Sequence, residues 1–261
     1  MAKRSARRAQ RRMHETAHYP DTDNVRRLFD EPQWSPMDDP ARSEKHRDEK
    51  FRDQKYRKNI RAQNKSQQRM LDAIDTSPLV FAIGAAGTGK TYLAVAKAVE
   101  ALESGAVRRI ILSRPAVEAG ESLGFLPGDM EDKLSPYLRP LYDALIDRLS
   151  TKRLKALMAE GVIEIAPIAY MRGRTLNNAY IVIDEAQNCT YGQLKMLLTR
   201  LGWNSSMVVT GDPAQTDLLP ELSGLKKVTD NLEGLDNVGV VRFVRDDVVR
   251  HPLVADMIDR L

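Results

Sequence analysis

The sequence predicts an α/β domain with a mostly parallel sheet flanked by helices. Two observations carry that expectation. From residue 62 onward, apolar runs of four to seven residues alternate with stretches of helical periodicity, as strands buried on both faces require. And "GAAGTGKT", residues 84–91, sits between the first of these runs and a helix-forming stretch.

The strands are expected at 79–83 ("LVFAI"), 109–113 ("RIILS"), 162–166 ("VIEIA"), 180–184 ("YIVID"), 207–210 ("MVVT") and 238–244 ("VGVVRFV"). Helices are expected at about 65–74, 91–103, 137–149, 151–160, 190–201 and 248–260. Gly105, Gly161 and Gly202 stand where helices should stop, because glycine tolerates the left-handed conformation that ends them.

The glycine-rich stretch reads Gly84-Ala85-Ala86-Gly87-Thr88-Gly89-Lys90-Thr91. Its glycines let the backbone curl so that several N–H groups face one anion. The helix that follows presents its positive end to the same charge. Lys90 is placed to reach β- and γ-phosphates, and Thr91 to bind Mg²⁺. The ligand that fits is a nucleoside triphosphate with its metal ion.

In open α/β sheets ligands bind at the carboxyl ends of strands, so the other strand ends are read next. "YIVIDEAQN" closes a near-continuous apolar run on Asp184-Glu185. Asp184 is expected to join Thr91 at Mg²⁺, and Glu185 to orient or deprotonate an attacking water. "MVVTGDPAQTD" follows the same pattern, and Gln215 becomes a candidate sensor of the γ-phosphate. Before the first strand, Gln67 shares helical spacing with Met70, Leu71 and Ile74. It is the candidate reader of an adenine edge, with Gln68 as the alternative. Arg114, Arg172 and Arg174 lie on polar, glycine-rich connections and could meet the phosphates of a nucleic acid. Each could equally be a structural or solvated arginine.

The chain has 261 residues and 42% hydrophobic content, enough for one sizeable domain plus an extension. Residues 1–61 hold 17 Lys/Arg and 11 Asp/Glu, a net +6. Residues 62–261 hold the remaining 23 and 25, a net −2. Six positive charges and no acid fall in "MAKRSARRAQRR". This extension has few aliphatic residues and several prolines, so it is expected to be largely disordered, with a candidate exposed helix over 41–60. It serves either nucleic-acid binding or solubility. The single cysteine, Cys189, excludes an internal disulfide and suits a reducing compartment. No apolar run approaches the roughly 20 residues of a membrane span, and no signal-peptide pattern is present. A cytoplasmic protein is expected.

Together these residues resemble the PhoH family of P-loop ATPases. The resemblance is carried by "GAAGTGKTYLAVAKAVEAL", "SRPAVEAGESLGFLPGDMEDKLSPYLRPLYDAL", "IEIAPIAYMRGRTLNNAYIVIDEAQN", "MLLTRLG", "VVTGDPAQTDL" and "DVVRHPLV", and spans about residues 65–261. It implies a single RecA-like domain, similar to the N-terminal half of superfamily-one helicases, over 62–261. It also implies ATP binding and hydrolysis, with RNA or another single-stranded nucleic acid as partner. Some family members carry an RNA-binding or nuclease module before this domain; the 61 residues here are too few and too polar for either. A helicase-like ATP site lies between two such domains, the second supplying an arginine. This chain has one, so the arginine is expected from the same domain or from a neighbouring copy in a homo-oligomeric ring, with six subunits the expectation from similar ATPases. Arg250 leads, followed by Arg172 and Arg174. Two functions compete: an ATPase that remodels nucleic acid, and a slow nucleotide-dependent switch. A small-molecule kinase ranks third, for want of an acceptor domain and an arginine-rich lid.

Overall fold

The computed structural model describes residues 60–115, 130–219 and 221–249. The basic arm, residues 41–59 of the expected helix at 41–60, and residues 250–261 of the C-terminal stretch, Arg250 included, lie outside the described residues; residues 248–249, where a helix is expected to begin, are not helical. The order is α1 (Lys65–Thr76), β1 (Leu79–Gly84), α2 (Lys90–Glu103), β2 (Arg109–Arg114), α3 (Met130–Arg148), α4 (Thr151–Ala159), β3 (Ile163–Pro167), β4 (Ala179–Ile183), α5 (Tyr191–Leu198), β5 (Ser206–Gly211), α6 (Leu225–Leu232) and β6 (Val238–Phe243). The six strands form one sheet in the order β3-β2-β4-β5-β1-β6, and every pairing is parallel.

The all-apolar reading of the strands follows from burial on both faces. Val80, Ala82, Ile110, Leu112, Val182 and Val208 pack with α1, α2 and α3 on one face. Phe81, Ile83, Ile111, Ile181, Ile183 and Val209 pack with α5 and α6 on the other. Each fully buried side chain of this size stabilises by about 1.5–3 kcal/mol. Alternation along each strand thus serves two cores, which is why no polar side emerges in the sequence.

Parallel strands align all their carboxyl ends on one edge. β5 lies between β1 and β4, with Thr210 in register with Ala82 and Val209 with Ile183. The loop after β1 and the acids after β4 therefore reach each other across one strand. α1 begins at Asn64, whose side chain accepts from the Gln67 N–H at 2.8 Å and caps the helix.

Four local readings change. The helix expected at 137–149 starts at Met130 and runs through Pro136 and Pro140. The helix expected at 190–201 stops at Leu198, because Leu201 leaves it to bridge Leu176. Gly202 is therefore not a helix stop; a Cβ there would press on Leu176 and Asn177. α6, after Gly224, has no counterpart among the expected elements. Gly105 and Gly161 do close their helices, with φ of 76° and 69°.

Candidate functional site

The glycine-rich loop leaves β1 through Gly84, at φ 134°. A side chain there would strike the carbonyl oxygen of Phe243 on β6, so glycine is required by close approach as well as by conformation. Gly87 and Gly89 also take positive φ, 79° and 85°. Thr88 is buried, and its hydroxyl donates to the Ala85 carbonyl at 2.9 Å. Lys90 opens α2 and lies only 8% exposed. Its ammonium donates to the carbonyls of Gly84 (2.6 Å) and Ala85 (2.7 Å). Burial holds the Lys90 ammonium below its usual pKa; the carboxylates of Asp212, Glu185 and Asp184 oppose that shift.

Asp184 is buried at 3% exposure, which is costly for a carboxylate without partners. It has three. The Thr91 hydroxyl donates to its Oδ1 at 2.7 Å, the Thr210 hydroxyl to the same oxygen at 2.6 Å, and Arg114 lies 3.7 Å from Oδ2. Glu185 follows at φ 53°, an uncommon conformation for a residue with a side chain. Its Oε1 receives Arg114 at 3.2 Å, and its Oε2 receives the amide of Gln187. Thr91 and Asp184 together present the hard oxygen donors that Mg²⁺ takes, so their chemistry fits the ion. Among the described residues no group of three or more His, Cys, Asp or Glu side chains forms a metal cluster.

The remaining candidates fall differently. Gln67 is buried, and both ends of its amide are used inside the chain: Nε2 donates to the Thr88 carbonyl at 3.0 Å, and Oε1 accepts from the Gln63 N–H at 2.8 Å. It braces the phosphate loop. Gln68 instead pairs with Asp72 on the exposed side of α1. Gln215 is exposed on a 3-10 turn, Pro213–Gln215; the amide beside Glu185 belongs to Gln187. Arg114 meets the two acids. Arg174 forms a two-pronged pair with Glu164, at 2.5 and 2.6 Å, and Arg172 is exposed.

Several contacts at the site cannot be read from the sequence, although Asp212 itself stands in the "MVVTGDPAQTD" pattern. Asp212 accepts from the Ala86 N–H of the loop at 3.2 Å. Asn64 donates to the Asp247 carbonyl at 3.0 Å, and the Val249 N–H donates to the Gly87 carbonyl at 2.9 Å. The segment leading to Arg250 is thus tied to the loop. A cleft of about 650 Å³ opens beside it, lined in part by Gln63, Gln67, Gly87, Gly89, Tyr92 and Val249. Cys189 closes the turn after Glu185; it is fully buried, and burial pushes its thiol up to about 12. Its carbonyl accepts from the Gly224 N–H at 2.9 Å. No described helix is long and apolar enough to cross a membrane.

Fold and loop together define a phosphate-loop α/β domain. The comparisons with known proteins assign it further. A family model described as PhoH-like protein matches residues 59–261, and the chain belongs to that family. It is 56% identical over 203 residues to a PhoH-like protein of Bacillus subtilis, covering 77% of this chain and 64% of the relative. It is 58% identical to a PhoH-like protein of Mycobacterium tuberculosis, covering 77% and 58%, and 48% identical over 197 residues to Protein PhoH of Escherichia coli, covering 74% and 56%. The chain thus matches less than two thirds of the length of these curated relatives. Among solved structures, the large terminase of a thermophilic bacteriophage aligns with a TM-score of 0.46 at 12% identity, over 79% of this chain and 50% of that one.

Proposed function

We propose that residues 62–261 form an ATPase domain that binds Mg·ATP at the 84–91 loop and couples its hydrolysis to binding or remodelling of RNA or another single-stranded nucleic acid. The observation that carries the reading is the convergence of Thr91, Thr210 and Arg114 on Asp184, with Glu185 next to it and the phosphate loop one strand away. In this reading the loop N–H groups and Lys90 hold the phosphates, and Thr91 and Asp184 hold Mg²⁺. The ion supplies charge neutralisation on the phosphate oxygens. Glu185 orients the attacking water and accepts its proton. The cleft beside Tyr92 takes the nucleoside, in the volume range of small-ligand sites. The basic arm adds non-specific affinity for nucleic acid. A finger arginine completes the site, with Arg250 the leading candidate from this domain or from a neighbouring copy in a ring, and the protein is cytoplasmic.

The test measures ATP binding and hydrolysis by the wild type and Lys90→Ala, each with and without single-stranded RNA, single-stranded DNA and duplexes. Lys90→Ala is expected to weaken ATP binding on the order of 10–100-fold, since a charge-assisted contact contributes about 1.5–3 kcal/mol. Wild-type affinity in that variant rejects the site. Turnover raised by single-stranded RNA supports the remodelling reading. Slow turnover indifferent to every nucleic acid supports instead a nucleotide-dependent switch. One observation favours that second reading: Arg114 already takes one lone pair of the Glu185 carboxylate, which leaves fewer positions at which that group can receive a water's proton.

A further inference from the structure

We infer that Gln187 is a positioning residue, which orients the Glu185 carboxylate and links it through Asp212 to the phosphate loop. The inference rests on the hydrolytic reading of Glu185 above.

Gln187 is only 1% exposed and sits on the short turn Ala186–Asn188. Its Nε2 donates to Oε2 of Glu185, the oxygen that Arg114 does not hold. Its Oε1 accepts from the Asp212 N–H at 3.0 Å, and the Asp212 carboxylate accepts in turn from the Ala86 N–H of the loop. The amide has one workable orientation. Turned over, its oxygen would face a carboxylate and its NH₂ would face a backbone N–H, and both contacts repel.

The surroundings hold it there. A Cβ on Gly211 would come 2.9 Å from Gln187 Oε1, so the end of β5 is bare where the amide lies. The Gln187 carbonyl accepts from the hydroxyls of Thr216 at 3.1 Å and Ser223 at 2.8 Å. The backbone is pinned from one side and the side chain from the other.

A purely structural glutamine would not need this partner. The Glu185 side chain is 35% exposed, so water can satisfy its carboxylate without Gln187. What the amide adds is direction: with Arg114 on one oxygen and Gln187 on the other, the carboxylate plane is defined by two donors from different elements. An attacking water meets a base whose lone pairs point one way, and misplacement by about 1 Å costs on the order of 100-fold in rate.

The experiment compares single-turnover ATP hydrolysis and ATP affinity in Gln187→Met, Gln187→Glu, Glu185→Gln and the double variant Gln187→Met/Glu185→Gln. Gln187→Glu keeps an acceptor for the Asp212 N–H and replaces the amide donor to Glu185, which also reaches the Gln215 carbonyl at 3.4 Å, with an oxygen. It separates orientation from loss of packing. Both Gln187 variants are expected to hydrolyse on the order of 10–100-fold more slowly while ATP affinity stays within about twofold of wild type. In the double variant the second change is expected to cost nothing further, because Gln187 acts through Glu185. A wild-type rate in Gln187→Glu beside an impaired Glu185→Gln overturns the inference alone. So does a full additional loss in the double variant, or a loss of ATP affinity that matches the loss of rate. Full turnover in Glu185→Gln overturns the underlying reading of the site instead.

Discussion

Glu185→Gln is expected to lower ATP turnover by about 100-fold or more while leaving ATP affinity unchanged. The substitution keeps the side chain's length and shape. It retains an oxygen for Arg114 or for Gln187 but removes the negative charge that accepts a proton. Asp184, held by Thr91 and Thr210, is untouched by the change, so binding should survive. Rate and affinity measured on the same preparation decide the matter. A variant that binds ATP as the wild type does and hydrolyses it at the same rate takes Glu185 out of the chemistry.

The second large effect concerns Gly84. Gly84→Ala forces a Cβ against the Phe243 carbonyl at a backbone angle that side chains rarely adopt. Because that carbonyl belongs to a paired strand, it cannot swing aside as a flexible side chain would. The expected loss is roughly 2–4 kcal/mol of stability, read as a lower denaturation midpoint. Gly105→Ala supplies the comparison. It also sits at positive φ, but with nothing within 4 Å of the added atom, so only the conformational cost of about 1–2 kcal/mol is expected. Equal losses at the two positions would mean that the approach of β6 to the loop is not what demands glycine at 84.

What can be read from the sequence, and what cannot, divides along a physical line. The strands are legible because burial on both faces leaves an unbroken apolar run such as "YIVI", and the loop because few backbones need glycines at that spacing. The inward placement of Gln67 is legible from its spacing with Met70 and Ile74; its partner, the carbonyl of Thr88, is not, because periodicity reports a face and not what lies across it. Arg114 reads as a candidate contact for nucleic acid because it lies on a polar, glycine-rich connection after the strand expected at 109–113. Two acids from β4 claim it there, and only the strand order puts β2 beside β4. Gln187 escapes notice for a similar reason: it stands two residues past Glu185, and its importance comes from Asp212, 25 residues away in the chain. α6 is hard to see because it is only eight residues long, and its first residue, Leu225, packs under Gly211, a contact with no local signature.

The lone sulfur of Cys189 turns the turn that carries Glu185 into something that can be timed. A thiol with its proton held this firmly and no solvent access reacts with an alkylating reagent only in the moments when residues 186–190 come apart. Coming apart means parting Cys189 from Ala186 and from Gly224, bonds of the same turn on which Gln187 sits. The speed of labelling is therefore a clock for that opening, read from one atom with no introduced probe, since the chain has no other cysteine. With ATP at about a hundred times its dissociation constant, and an opened form that cannot bind it, the clock should run about 100-fold slower.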